Sequence, residues 1–507
     1  MYSRMRQLYQ ILGHKAATYC VLYDSSGGRV VTGADDCLVK VWSARTGMLL
    51  ATFRGHEGQV TDLAINPEST ILASSDTTGA IRVWSLETGA QITTLRWHRA
   101  GTEIDTIEFS PSVEAGRRYI FSTGKDCTVK AFRWWVDDSD PDAVPHFGQD
   151  RDWTKYNASF DTLSSMEQRR KCRCKGECKC RVICADFSPG GVFYATGSTD
   201  SYLRVYMLDG RSPPRLVMEN DAHDDDIDFV TFNHEGTKIM TGSSDGTARL
   251  WHHKGSWQLR DTVLTPVPGP AGQGKKEAVK YGTWTCDDAY VVCALGSDHS
   301  LNVWNTETYT IKHVLSRHEH DVIGVHSHPS DPAVVLTAAT DGRALLWDIT
   351  EGFCMKEFVI TYTVDGSNQP LDVLDCRFSP DGRSFSVVDA WGHWSHFGLQ
   401  DVARYRSLPV AQFFQNDTAA VIRDANHFVL DQDTQTAPHL IPLMLVNNDG
   451  TAFGADFQTR GTMEDRLCFT KVRRLRPFLF IFGTISRISL PHATPRAPYD
   501  VLYLVSM

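Results

Sequence analysis

The sequence predicts an all-β fold of eight similar four-stranded units closed into a ring, and three observations carry that prediction. The segments TGADDCLVKVW, TGSTDSYLRVY, TGSSDGTARLW, ALGSDHSLNVW and TAATDGRALLW place an Asp six positions before an aromatic residue, giving Asp36/Trp42, Asp200/Tyr206, Asp245/Trp251, Asp298/Trp304 and Asp341/Trp347. STGKDCTVKAF adds Asp126/Phe132, SSDTTGAIRVW adds Trp84 with Thr78 at the Asp position, and a weaker eighth copy ends at Phe397. A hydroxyl stands ten positions before the aromatic, at Thr32, Ser74, Ser122, Thr196, Thr241 and Thr337, with Ala294 as the exception. A His lies further upstream, at His14, His56, His223 and His318, and at His98 where the unit has a longer loop. Between these marks run short β-branched and aromatic stretches such as YCVLYD and VTDLAIN, bounded by turn residues, which describe strands of a few residues each.

Taken in order, residues 1–12 are expected to supply the outer strand that closes the ring on its last unit, because closure removes sheet edges that would otherwise aggregate. The units occupy 13–400. Their aromatic endpoints at 42, 84, 132, 206, 251, 304, 347 and 397 are evenly spaced except between 132 and 206. That excess is too short for another unit, so an insertion is expected at about 136–181. TPVPGPAGQGKKE at 265–277 lengthens one connection. A tail at 401–453 is expected to pack near the ring, and 454–507 shows neither repeat marks nor a clear period.

Composition narrows the function. A formal net charge of −10 gives no general reason to bind nucleic acid, and no apolar run is long enough to span a bilayer. The basic start, MYSRMRQLYQIL, lacks the apolar core of a secretory signal. Thirteen cysteines, five of them crowded between Cys172 and Cys184, do not read as a disulfide framework. No phosphate loop, HExxH helix or GxSxG elbow is present, and a His/hydroxyl/Asp set that recurs in unit after unit is a framework rather than a catalytic triad, so no enzyme and no small-molecule substrate are expected.

These marks resemble the WD-repeat β-propeller family, whose blades begin with GH and end with a WD-like pair. On that reading His14, Thr32, Asp36, Trp42, His56, Trp84, His98, Asp126, Thr196, Asp200, His223, Thr241, Asp245, Trp251, Asp298, Trp304, His318, Thr337, Asp341 and Trp347 are structural, each set satisfying its own hydrogen bonds while pinning a blade. ILGHKAATYCVLYD and the tail VIRDANHFVLDQDTQTAPHLIP are similar to the N-terminal WD-repeat region of bromodomain and WD-repeat-containing proteins. The resemblance implies a non-catalytic nuclear adaptor, also present in the cytoplasm, whose partners are chromatin proteins and a cullin-RING ubiquitin-ligase adaptor. It stops near Gly454, so no acetyl-lysine-reading residue is carried over, and a truncated isoform competing with a longer relative is one expectation. A cytoplasmic signalling or cytoskeletal scaffold is the alternative.

Two candidate sites depart from the repeat. VVTGADDCLVKVWSAR resembles the box by which WD-repeat receptors engage the ligase adaptor, which points to Arg45 as a partner contact although Ser43 replaces the Asp of the pair; Lys254 holds the corresponding place after Trp251. In RRKCRCKGECKCRVIC, Cys172, Cys174, Cys178 and Cys180 form two CxC pairs that could offer zinc four thiolates, though the spacing is not the usual CxxC; a loop of reduced thiols without cofactor is the alternative. The surrounding Lys and Arg residues also suit nuclear localisation.

Overall fold

The structure is a computed structural model that describes residues 2–111, 118–135, 145–147, 181–208, 214–253, 257–267, 269, 277–364, 367–425, 427–454 and 458. The insertion's cysteines and Lys254 lie outside these residues.

Eight four-stranded antiparallel sheets follow one another along the chain. Blade 1 runs through Thr18–Tyr23, Arg29–Ala34, Leu38–Ser43 and Leu49–Arg54, and blade 2 through Val60–Ile65, Ile71–Asp76, Ile81–Ser85 and Gln91–Leu95. Blades 3 to 7 begin at Ile104, Val182, Ile227, Val279 and Val322. The eighth sheet takes Val373–Phe378, Ser384–Asp389 and His393–Gly398 from one end of the repeat region and Arg6–Leu12 from the other. Arg6–Leu12 pairs antiparallel with His393–Gly398, so the ring is held shut by a strand from the opposite end of the chain.

Burial follows from position in the ring. The second strand of a blade has neighbours on both edges and a sheet against each face, and Arg29–Ala34, Ile71–Asp76, Tyr119–Gly124, Val334–Ala339 and Ser384–Asp389 are buried at every position. Near-continuous apolar runs, rather than alternation, are what such strands require. The core lies between adjacent sheets: Trp42 and Trp394, on blades 1 and 8, pack at 5.2 Å between ring centroids, and Phe358 of blade 7 meets Phe385 and Phe397 of blade 8 at 5.2 and 5.0 Å. Gly13 precedes the first repeat His because a Cβ there would lie 2.4 Å from the Trp42 indole.

Each first strand carries a bulge near its start, at Thr18/Cys20, Val60/Asp62, Ile104/Thr106, Val182/Cys184, Ile227/Phe229, Val279/Tyr281, Val322/Gly324 and Val373/Asp375. A bulge bends a strand and re-aims its side chains. Carboxylates on these strands reach the next blade: Asp375 accepts from the Val21 N–H at 2.8 Å, Asp62 from Ile107 at 2.8 Å and Asp186 from Phe232 at 2.6 Å. Burial pushes the Asp62 carboxyl up to about 7 and that of Asp375 up to about 6, against the downward pull of those hydrogen bonds and of Arg377.

Candidate interaction surface

The repeat marks assemble into hydrogen-bonded sets in five blades. In blade 1, Thr32 Oγ1 lies 2.8 Å from His14 Nε2 and 2.9 Å from Trp42 Nε1, and His14 Nδ1 lies 3.1 Å from Asp36. Blade 5 repeats this with His223, Thr241, Asp245 and Trp251, and blade 7 with His318, Thr337, Asp341 and Trp347. Blade 3 joins His98, Ser122 and Asp126, with Phe132 in place of the indole. In blade 2 His56 meets Ser74 at 2.6 Å, but its acid is Asp76, at 2.8 Å, two residues before the expected position. Thr78, standing at that position, donates to Asp76 instead. Burial raises the Asp76 carboxyl, yet the hydrogen bond and charge of His56 outweigh it and hold the group at about 2.

Blades 4 and 6 part from the pattern. Asp200 meets no His among the described residues; it pairs with Arg204 at 2.6 Å and accepts from Ser198. Thr196 lies opposite Arg204, with Tyr206 in the aromatic place. Asp298 accepts from the Gly269 N–H at 2.5 Å and from Ser300, and Trp304 is buried without a hydroxyl ten positions upstream. The His side chains of the five sets are buried, which suits bracing rather than chemistry on a ligand.

Exposed features gather where the tail meets blades 1 and 2. Arg45 is exposed in the turn between Leu38–Ser43 and Leu49–Arg54. The tail holds this turn: Tyr405 donates to the Arg45 carbonyl at 3.1 Å, and Gln412 bonds Gly47 O and Leu49 N–H at 3.0 and 2.9 Å. It also holds the closing strand, since Leu12 N–H donates to Val410 O at 2.8 Å and Gln412 N–H to Leu12 O at 2.9 Å. Two buried ion pairs complete the dock, Lys40–Asp417 at 2.5 Å and Arg54–Asp431 at 3.1 Å. A cavity of about 220 Å³ opens between the tail and the outer strands of blades 1 and 2, walled by Phe53, Trp84, Gln91, Phe428, Leu430 and Pro438.

A cation recurs at one position in five of the blades, and those of blades 1 and 2 lie under the tail. Lys40, Arg82, Lys130, Arg204 and Arg249 each stand opposite the repeat hydroxyl of their blade. All five occupy the position two before the aromatic mark, a periodicity visible in the sequence.

Comparison with known proteins places these observations. The family described as "WD domain, G-beta repeat" matches residues 5–43, 47–85, 169–206, 214–252 and 309–348. Five segments of the eight-bladed propeller thus match the WD40 repeat. The chain is 28% identical over 89% of its length to a bromodomain and WD repeat-containing protein of Dictyostelium discoideum, whose own length it spans to 22%. The likeness to bromodomain and WD-repeat proteins suggested by the tail sequence therefore extends over most of the chain. It is 22% identical over 75% of its length, and 77% of the relative's, to the human angio-associated migratory cell protein. Among solved structures, a computationally designed protein, Ika8, shares the fold with a TM-score of 0.54 at 19% identity, covering 78% of this chain and 99% of that one.

WD40 marks alone do not locate the dock. Tail residues Asp417, Asp431 and Gln412 meet their partners across more than 360 positions of sequence, and no local pattern announces such contacts.

Proposed function

We propose that this WD40 propeller is a protein-interaction platform that works in the nucleus, in chromatin-linked regulation of transcription, and that it serves as substrate receptor for a cullin-RING ubiquitin ligase through Arg45. The observation that carries the reading is the exposed Arg45 on a turn fixed by Tyr405 and Gln412. Arginine on a rigid turn loses little freedom on binding, and its planar fork pairs a carboxylate or several carbonyls at the centre of an interface. The likeness to a bromodomain and WD repeat-containing protein supports the chromatin setting.

The test is affinity purification of the wild-type chain beside Arg45→Ala from nuclear extract, with quantitative mass spectrometry of ligase subunits and histones. The ligase adaptor is expected with wild type and is expected to be lost with Arg45→Ala at unchanged melting temperature. Wild type without ligase or chromatin proteins would replace this reading with a cytoplasmic scaffold.

A further inference from the structure

Blade 2 buries an arginine that no carboxylate among the described residues pairs with. Arg82 is 0% exposed; its Nη1 reaches Thr94 Oγ1 at 3.3 Å and His427 O at 3.4 Å, while Nε and Nη2 make no hydrogen bond. A buried charge is costly unless paired, and the other blades show how pairing is done. Arg204 and Arg249 have an Asp four residues earlier, Asp200 at 2.6 Å and Asp245 at 3.9 Å, and Lys40 receives Asp417 from the tail. Blade 2 has Thr78 four residues before Arg82, and its acid, Asp76, is turned to His56. Over Arg82 the tail brings the His427 carbonyl and another cation, Arg423, rather than a carboxylate. Burial, reinforced by Arg423, pushes the Arg82 guanidinium down to about 10.

Three guanidiniums converge there. Arg423 Nη2 donates to Gly55 O at 2.9 Å, and the Arg82 Cζ lies 3.5 Å from where a Gly55 Cβ would be. Gly55, at φ 143°, leaves room for this crowding as no other residue would, since its Cβ would also lie 2.4 Å from Val429. Arg96 and Arg423 both reach a single carboxylate, Glu57, at 2.6 and 3.2 Å. The side chains of Arg96, Glu57 and Arg423 are 37%, 38% and 26% exposed, so the cluster is open to solvent beside them. Glu57 lies among the three guanidiniums and the charge of Asp76 also reaches Arg82, so one positive charge is left over, an excess that draws an anion such as a phosphate. Guanidinium forks suit phosphate oxygens. The 220 Å³ cavity adjoins the same tail segment: Gln91, one of its walls, donates to the His427 carbonyl that Arg82 also approaches.

We propose that the seam between blade 2 and the tail binds a phosphorylated segment of a partner protein, with Arg96 and Arg423 holding the phosphate, the buried Arg82 adding its charge beside them, and the adjoining cavity taking an apolar side chain of the same segment. The proposal rests on the interaction-platform reading only in that a protein carries the phosphate.

The probes are inorganic phosphate and phenyl phosphate, titrated against the full chain at low and constant ionic strength and followed by the melting temperature. A saturable rise is expected with both, at lower concentration for phenyl phosphate. Arg423→Gln, which removes one charge-assisted contact, is expected to weaken binding about tenfold or more. Asp76→Ser with Thr78→Asp rewrites the segment in the order of Ser243–Ser244–Asp245 in blade 5, keeping an acid for His56 while giving Arg82 a neighbouring carboxylate. That variant is expected to remain folded and to lose the phosphate response. No saturable response in wild type, or an undiminished one in Arg423→Gln, would overturn the proposal whatever the double variant does. The titration involves no protein partner, so its failure removes this site and leaves the Arg45 reading to its own test.

Discussion

Blades 1 and 2 solve the same problem differently. Both bury a cation opposite the repeat hydroxyl, Lys40 facing Thr32 and Arg82 facing Ser74, and both lie under the tail. In blade 1 the tail supplies Asp417, and the Lys40 Nζ also sits 4.5 Å from the Phe413 ring centroid. In blade 2 the tail supplies a carbonyl and an arginine. One cation is therefore sealed into the fold, and the other is left with unmet demand for an anion. The difference traces to the tail, which lays Asp417 over Lys40 but a carbonyl and Arg423 over Arg82, while the two-residue shift of one Asp from the position of Thr78 to Asp76 also removes the near acid that Arg204 has in Asp200.

Breaking the sealed pair is expected to have the largest effect. Asp417→Ala strands a buried ammonium and should cost about 3–5 kcal/mol in urea denaturation, whereas Lys40→Met with Asp417→Leu should recover most of it. If the single variant is near neutral, water already reaches Lys40 and the contrast between the blades dissolves.

The repeat sets offer the next comparison. Thr32 Oγ1 accepts from the Trp42 Nε1–H and lies 2.8 Å from His14 Nε2, whose ring is held through Nδ1 by Asp36, so Thr32→Val should cost about 2–3 kcal/mol by leaving both buried ring nitrogens unpartnered. Among the described residues Thr196 in blade 4 bonds neither a His nor an indole, with Tyr206 in the aromatic place, and Thr196→Val should cost about 1 kcal/mol or less in the same assay. Equal losses would show that the hydroxyl acts through packing instead.

Acid sharpens the comparison between framework and inner-strand carboxylates. Asp76 is held at about 2, below its unfolded value near 4, so its contribution is fully present above about pH 4 and is lost as pH falls through 2. Asp62, raised by burial to about 7, has the opposite sign: its native state favours the protonated form, and stability is lost as pH rises from about 4 through 7. Melting temperature measured against pH should show Asp76→Asn losing about 2 kcal/mol at neutral pH and little at pH 2. Asp62→Asn should gain on the order of 1 kcal/mol at pH 8 and nothing at pH 4.

The sequence by itself determined the architecture, because a propeller repeats one local problem. Each blade needs four short strands, a buried aromatic and a self-satisfying His, hydroxyl and Asp, and these marks recur at readable spacings, as from His14 to Trp42 and from His318 to Trp347. Even the cations two positions before five of the eight aromatics were legible at that level. Which acid answers each cation was not. Lys40 finds Asp417 and Arg54 finds Asp431 each across 377 positions, and Asp76 rather than residue 78 serves His56 because a two-residue shift along one strand still reaches the ring nitrogen. Local periodicity encodes strands and their faces; compensation of a buried charge depends on which distant segment comes to rest over it, and that only the tertiary structure decided.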